Sequence, residues 1–310
     1  MTENEGIIRE ALTAWDIPDA EAEIIRHNEN ITCKVLHGDE KCALRIHQPK
    51  KGFQTSLITD RQNDTALFQS EAQLLLHLSR NGFDGLQNPL QNRNGEYISV
   101  LSGGIPAMLL TWVEGEPLTP EEGPAYAGQI GELICRIHRA ARGFLGKRFA
   151  YDNALCDRMI REISRAVSLG HLKESAAARC AEELEAVKLA QQRLAAEDPP
   201  SVIHSDLSFG NILRTDRGLI PIDFSLSGYG SLAQEAGMAM SNYQDKNSCV
   251  MLLEGIAACG MRVDRADADL FLSYSVLLFI CAQHDRFHAE TWFQEAMDRW
   301  CGELFIHGST

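Results

Sequence analysis

The stretch VIHSDLSFGNIL, residues 202–213, decides how this chain is read. It sets a histidine, two serines, an aspartate and an asparagine between two apolar dipeptides. Ile212 and Leu213 open a short strand. Thr215-Asp216-Arg217-Gly218 is a turn closing on glycine, and Leu219 to Ile222 return as a second strand. Asn211 then stands just before the first strand and Asp223 just after the second. Antiparallel pairing brings such positions to one end of a hairpin, with opposed Cα atoms about 5 Å apart. An amide oxygen and a carboxylate at that separation can share one hard cation. Mg²⁺ takes oxygen ligands and keeps phosphate oxygens and waters in its shell. Asp206 lies in the loop beneath the same hairpin, where a carboxylate can accept or orient the proton of an attacking hydroxyl. Taken singly, Asp206 reads as a loop cap and Asn211 as a turn residue. Their conjunction with Asp223 is what points to chemistry. His204 reads as a hydrogen-bonded scaffold for the loop.

Outward from this stretch, the chain divides in texture. Residues 3–14 have the spacing of a short amphipathic helix. AEIIRHN, ITCKVLHG and KCALRIHQ are short strands separated by polar turns. In the third, a period of two sets Arg45 on the face opposite Leu44. A loop rich in Lys, Gly, Thr and Asp covers 49–64. TALFQSEAQLLLHLSRNG then reads as a helix with Leu67, Leu74, Leu75 and Leu78 on one face and Gly82 as its stop. EYISVLSGGIPAMLLTWVEGEPL is a hairpin turning at Ser102-Gly103-Gly104 and running into a polar linker. The domain boundary is placed there: a small strand-rich lobe at 1–113 and a mainly helical lobe at 114–310. Helical periodicity marks 121–140, 152–170, 174–196, 232–243, 248–260, 266–286 and 289–305.

Bulk composition narrows the classes. A chain of 310 residues suits two lobes better than one core. The net charge of −14 argues against nucleic acid as a partner, since phosphate binding needs clustered Lys and Arg, and Lys50-Lys51 is the one basic cluster. Nine cysteines with no C-x-x-C support neither a zinc ribbon nor a redox pair, and their odd count and irregular spacing suit reduced thiols in a cytoplasm. The acidic N-terminus does not read as a signal peptide, and the apolar run Val276 to Ala282 is too short to cross a bilayer. The expectation is a cytoplasmic protein with no membrane partner. The oligomeric state is not legible.

The arrangement H-x-D-x₄-N followed by D-F resembles the catalytic and metal loops of the protein-kinase-like fold. VIHSDLSFGNIL with IPIDFSLSGYG is similar to the aminoglycoside phosphotransferase/choline kinase family, whose loops commonly read HGDLHPGNIL and IDFxxxxxG. CALRIHQP resembles that family's third strand, where Arg often stands in place of the phosphate-binding Lys of protein kinases. SEAQLLLHL resembles the helix of its first lobe, NRNGEY with AMLLTWVEGEPL its hairpin and hinge, and GELICRIHRA the helix before the catalytic segment. The strand and hinge patterns are most similar to the homoserine-kinase-like and bacterial stress-response kinase branch.

The resemblance implies an α+β, bilobal fold with ATP and Mg²⁺ in the cleft. It implies Asp206 as catalytic base and Asn211 and Asp223 as magnesium ligands. Arg45 would meet the ATP phosphates, held by Glu71, and backbone near Thr111, Trp112 and Val113 would meet adenine. The implied activity is transfer of the γ-phosphate to a hydroxyl of a small molecule, such as an aminoglycoside, an amino alcohol, homoserine or a sugar. A serine/threonine protein kinase and a nucleotide-binding pseudokinase are the alternatives. The chain also departs from the pattern. Asn28, Glu29 and Asn30 stand where protein kinases have a Gly-rich loop, and Asn28 and Asn30 form either a turn over the phosphates or an ordinary turn. Ser225 replaces the Gly of D-F-G. SLAQEAG, after Gly230, lacks an aspartate that relatives often have, which would loosen the metal loop.

Other polar residues read more plainly. His284 and His288 are four apart on a helix, a metal-ligand spacing, but with no third ligand in view a surface pair is expected. Asp285 with Trp292 is the pair expected to face a cationic substrate.

Overall fold

The computed structural model describes residues 3–49, 57 and 64–309. The loop read at 49–64 lies almost wholly outside them. Helix α1 (Glu3–Ala14) precedes three antiparallel strands, β1 (Glu21–His27), β2 (Ile31–His37) and β3 (Glu40–Ile46). Helix α2 (Asp64–Arg80) follows, then β4 (Ser99–Leu101) and β5 (Ile105–Thr111), joined at Ser102–Gly104. The sheet order is β1-β2-β3-β5-β4.

Alternation gives the sheet two faces. Ile31, Cys33, Val35, Leu44, Ile46 and Leu109 pack against Ile8, Ala11 and Leu12 of α1 and Trp15 just after it. Ala43, Met108 and Leu110 pack with Phe68, Ala72, Leu74, Leu75 and Leu78 of α2. Arg45 shares the parity of Ala43, so the pleat turns it toward α2 and the cleft. Gly82 terminates α2 with φ +84°, a conformation glycine adopts without strain.

The second lobe begins with β6 (Glu116–Pro117) and α3 (Ala127–Ala140), and continues through β7 (Phe149–Ala150), α4 (Asn153–Ser168) and α5 (Glu174–Glu197). Then come β8 (Ser201–Ile203), the hairpin β9 (Ile212–Thr215) and β10 (Gly218–Pro221), and β11 (Gly228–Gly230). Helices α6 (Leu232–Met240), α7 (Lys246–Ala258), α8 (Arg265–Phe287) and α9 (Thr291–Arg299) close the chain. The strands form two three-stranded sheets, β10-β9-β6 and β7-β11-β8. The molecule therefore has a small antiparallel-sheet lobe and a helical lobe, the α+β bilobal architecture expected. Helix α8 is long and apolar enough by composition to span a bilayer, but Phe271, Tyr274, Leu277 and Ile280 on it are buried in the core.

Candidate functional site

Strand β8 delivers the chain to a loop at 204–208, a single 3-10 turn (Phe209–Asn211), and then the hairpin. The hairpin pairs Thr215 with Gly218 and Ile212 with Pro221, and the Ile222 N–H donates to the Asn211 carbonyl at 2.9 Å. Asn211 thus faces Ile222, and Asp223 lies one residue beyond. The two are diagonal neighbours, not the directly opposed pair read from the sequence. Asp223 adopts φ +65° and Ser205 φ +62°, left-handed conformations at both ends of the site. Such backbone carries strain of about 1–3 kcal/mol and gathers at functional sites.

The polar groups converge tightly. Asn211 Nδ2 donates to Asp206 Oδ2 at 2.7 Å and to the Asp206 carbonyl at 3.0 Å. Arg45 pairs with Glu71, both essentially buried, and its other nitrogen lies 3.2 Å from Asp223 Oδ1. Arg26 reaches in from β1, where a bulge between Ile24 and Arg26 breaks the register. Its NH1 donates to Asn211 Oδ1 at 3.0 Å and lies 3.9 Å from Asp223 Oδ2.

Charge and burial set the protonation states. Burial pushes the Asp206 carboxyl up to about 7, and the Asp223 charge adds to it, while Arg26 and the Asn211 amide oppose. Burial also acts on Asp223, but Arg45, the Ser225 hydroxyl and Arg26 together hold it below the usual range. Burial and then Asp223 push Glu29 up to about 7. One loop carboxylate is thus poised near neutrality beside another that stays ionised.

These residues suit a hard cation. Asp223 Oδ1 is buried with the Arg45 guanidinium beside it but no hydrogen bond of good geometry, and the nearby side-chain acceptors Asn211 Oδ1 and the Asp206 carboxylate are oxygens. An all-oxygen set matches Mg²⁺.

Several supports escape sequence reading. Glu235 of α6 is buried and accepts the N–H groups of His204, at very short range, and Ser205, at 3.0 Å. It lies within SLAQEAG, so this segment clamps the 204–205 backbone from the first turn of α6, while the metal loop after Asp223, where the sequence predicts loosening, is held by Arg148. Buried Arg148 donates to four carbonyls, Phe224 at 2.7 Å, Ser225 at 2.8 Å, Ser227 at 2.9 Å and Leu67 of α2 at 3.0 Å. The Tyr151 hydroxyl donates to the Leu226 carbonyl at 2.6 Å and lies 2.7 Å from Ser205 Oγ. Ser225 Oγ donates to Glu29 at 3.4 Å, tying the two loops across the cleft.

His204 is buried. Its Nε2 meets the Ile222 carbonyl at 3.1 Å, its Nδ1 accepts from the Asp206 N–H at 3.3 Å, and burial pushes it down to about 4. It is a neutral strut. Glu235→Gln would present an amide N–H₂ to one of the two backbone N–H groups. A buried donor left unsatisfied costs about 1–3 kcal/mol. The variant is therefore expected to melt several degrees lower in calorimetry, and an unchanged melting temperature would remove the clamp.

Between the lobes lies a cavity of about 520 Å³ lined by Arg26, Lys34, Arg45, Trp112, Val113 and Asp223, among others. Thr111 is turned away from it. Its N–H and hydroxyl are bonded to Asn88 and its carbonyl accepts from Gln87 at 3.5 Å. Asn30 is buried against His47 at 3.0 Å, and the Asn28 N–H closes a turn on the Asn30 carbonyl. The structure does not bring Asp285 or Trp292 to the cleft. Asp285 Oδ2 is ion-paired with Arg165 at 2.6 Å, away from the cleft. Trp292 packs against Phe287 with ring centroids 5.1 Å apart.

A model of a family described as phosphotransferase enzymes matches residues 28–270. Among solved structures the chain is similar to a microcompartment-associated aminopropanol kinase, with TM-score 0.75 and 17% identity over 97% of this chain and 99% of that one. It is similar to an amicoumacin kinase bound to AMP-PNP and Ca²⁺, with TM-score 0.76 and 15% identity over 98% and 93%. It is also similar to a choline kinase from Streptococcus pneumoniae, with TM-score 0.64 and 16% identity over 98% and 99%. No match is found among curated protein sequences.

Proposed function

The chain belongs to the phosphotransferase enzyme family, and we propose that within it the protein moves the γ-phosphate of ATP to a hydroxyl of a small molecule. The observation that carries this reading is the Asp206 carboxylate, held by Asn211 beside ionised Asp223 and the Arg45–Glu71 pair. Asp206 receives the proton of the acceptor hydroxyl as its oxygen bonds to the γ-phosphorus and the bond to the ADP oxygen breaks. Arg45 offers a fixed cation to the phosphate oxygens. Trp112 and Val113 line the adenine end of the cavity. Mg²⁺ held by Asn211 and Asp223 would neutralise charge on the transferring group. Arg26 sits against both side chains and would have to give way to such an ion.

An alcohol that also carries an amine fits the chain's acidic balance, and the aminopropanol and choline kinases among its structural neighbours support that class. Nine free thiols, most of them buried, support a reducing compartment such as the cytoplasm.

The test is a screen of hydroxyl acceptors with purified protein and Mg-ATP, following ADP release. Aminoglycosides, amino alcohols, homoserine, sugars and a serine/threonine peptide mixture form the panel. Transfer to a small molecule but not to peptides is expected. Nucleotide binding with no transfer to any of them would sink this reading. Asp223→Ala should weaken Mg-ATP binding by at least tenfold in calorimetry, in line with losing one charged hydrogen-bonded or metal contact. Unchanged affinity would remove Asp223 from the ion's shell.

A further inference from the structure

A histidine cluster lies outside the cleft. His171 sits in the turn between α4 and α5, and His284, Asp285 and His288 lie at the end of α8. His171 Nδ1 is 3.0 Å from His284 Nδ1 and 3.3 Å from Asp285 Oδ1, and His284 Nδ1 is 3.6 Å from the same oxygen. Ligand atoms of a tetrahedral ion with bonds of about 2.0–2.1 Å stand about 3.3–3.4 Å apart. The three edges here bracket that separation. We propose that His171 Nδ1, His284 Nδ1 and Asp285 Oδ1 form a Zn²⁺ site with its fourth position open to solvent.

The surroundings orient all three ligands. His284 Nε2 meets Glu162 Oε1 at 2.8 Å. A proton held there leaves the Nδ1 lone pair facing His171 and Asp285, the carboxylate–histidine relation that orients metal-bound imidazoles. Arg165 binds Asp285 Oδ2 at 2.6 Å, which leaves Oδ1 turned toward the rings. Glu162 also takes Arg165, so one guanidinium is shared by two carboxylates and the cluster is net negative before an ion enters. Burial, then His288 and His284, hold His171 below the usual histidine range, which favours its neutral, ligating form. The His288 ring stacks on His171 at 3.7 Å, and its Nδ1 is 3.1 Å from the carbonyl of His284. His288 steadies the ring and is not a ligand.

Two imidazoles and one carboxylate suit Zn²⁺ and disfavour Mg²⁺ or Ca²⁺, which want oxygen shells. The rival account is a hydrogen-bonded histidine pair, since one Nδ1–H can point at the other ring. The ion would fasten the α4–α5 turn to α8, a role independent of phosphoryl transfer.

The experiment titrates the full, metal-stripped chain with Zn²⁺ against a chromophoric chelator, in excess Mg²⁺ so that the oxygen ligands of the cleft are engaged. One equivalent should bind. His171→Ala and Asp285→Asn should weaken binding by at least 100-fold, and Glu162→Gln by about 10–100-fold. His288→Ala should retain it. Thermal melts in chelator establish that each variant folds, and Zn²⁺ should raise the melting temperature of the wild type but not of His171→Ala. Wild-type affinity no greater than that of His171→Ala would overturn the site. So would loss confined to His288→Ala, which would place the ion on the His284–His288 pair instead.

Discussion

Replacing Asp206 with asparagine is expected to lower kcat by roughly 10²–10⁴-fold, the usual contribution of a positioned general base, while nucleotide affinity stays largely intact. Asparagine is isosteric, so its oxygen still accepts from Asn211 and the loop keeps its shape. What disappears is the proton acceptor. A second readout separates base from strut. Burial and Asp223 push Asp206 to about 7, and a base works only when ionised. Wild-type kcat/KM should therefore fall as pH drops through neutrality, with the limb moving lower when a divalent ion neutralises Asp223. In Asp206→Asn that limb should flatten. A variant as active as the wild type would end the assignment, and a variant that loses nucleotide binding in the same proportion would make Asp206 structural.

Removing the buried cation is expected to produce the largest stability effect. Arg45 and Glu71 are 5% and 2% exposed as side chains, and Asp223 lies 3.2 Å away. Glu71, Asp223 and Glu29 all act on the guanidinium, and more than offset the burial that disfavours its charge. Arg45→Met leaves these carboxylates facing one another in a poorly solvated space. Breaking a buried pair from one side costs about 3–5 kcal/mol, which for a chain of this size should lower Tm by roughly 5–8 °C. Arg45→Met with Glu71→Leu should recover part of the loss, because the stranded charge is removed with its partner. A single variant melting with the wild type would show that water or protonation already relieves these carboxylates.

Much of the fold was legible because its signals are local. The alternation in KCALRIHQ placed Leu44 and Arg45 on opposite faces, and the leucines of 67–78 gave α2 its buried stripe. The spacing of Asp206, Asn211 and Asp223 survives in space because a short hairpin joins them. Its register was off by one, since a single paired residue decides whether Asn211 faces Ile222 or Asp223. The supports were hidden for a different reason. Glu235 and Arg148 act on backbone N–H and carbonyl groups, which every residue owns, so no side-chain pattern announces the partnership. Glu235 lies in a bland helical stretch and Arg148 in what reads as a surface loop. Asp285 and Trp292 lie outside the cleft, with neighbours that sequence spacing does not reveal, Arg165 for one and Phe287 for the other.

Arg148 has a further consequence for control. One guanidinium fastens the Leu67 carbonyl of α2 to the chain that follows Asp223. In protein kinases the corresponding helix swings to break its ion pair, and that swing is the off switch. Here the same swing would strand a buried arginine. The first-lobe helix is therefore latched in the assembled position by a bond that any such swing would first have to break.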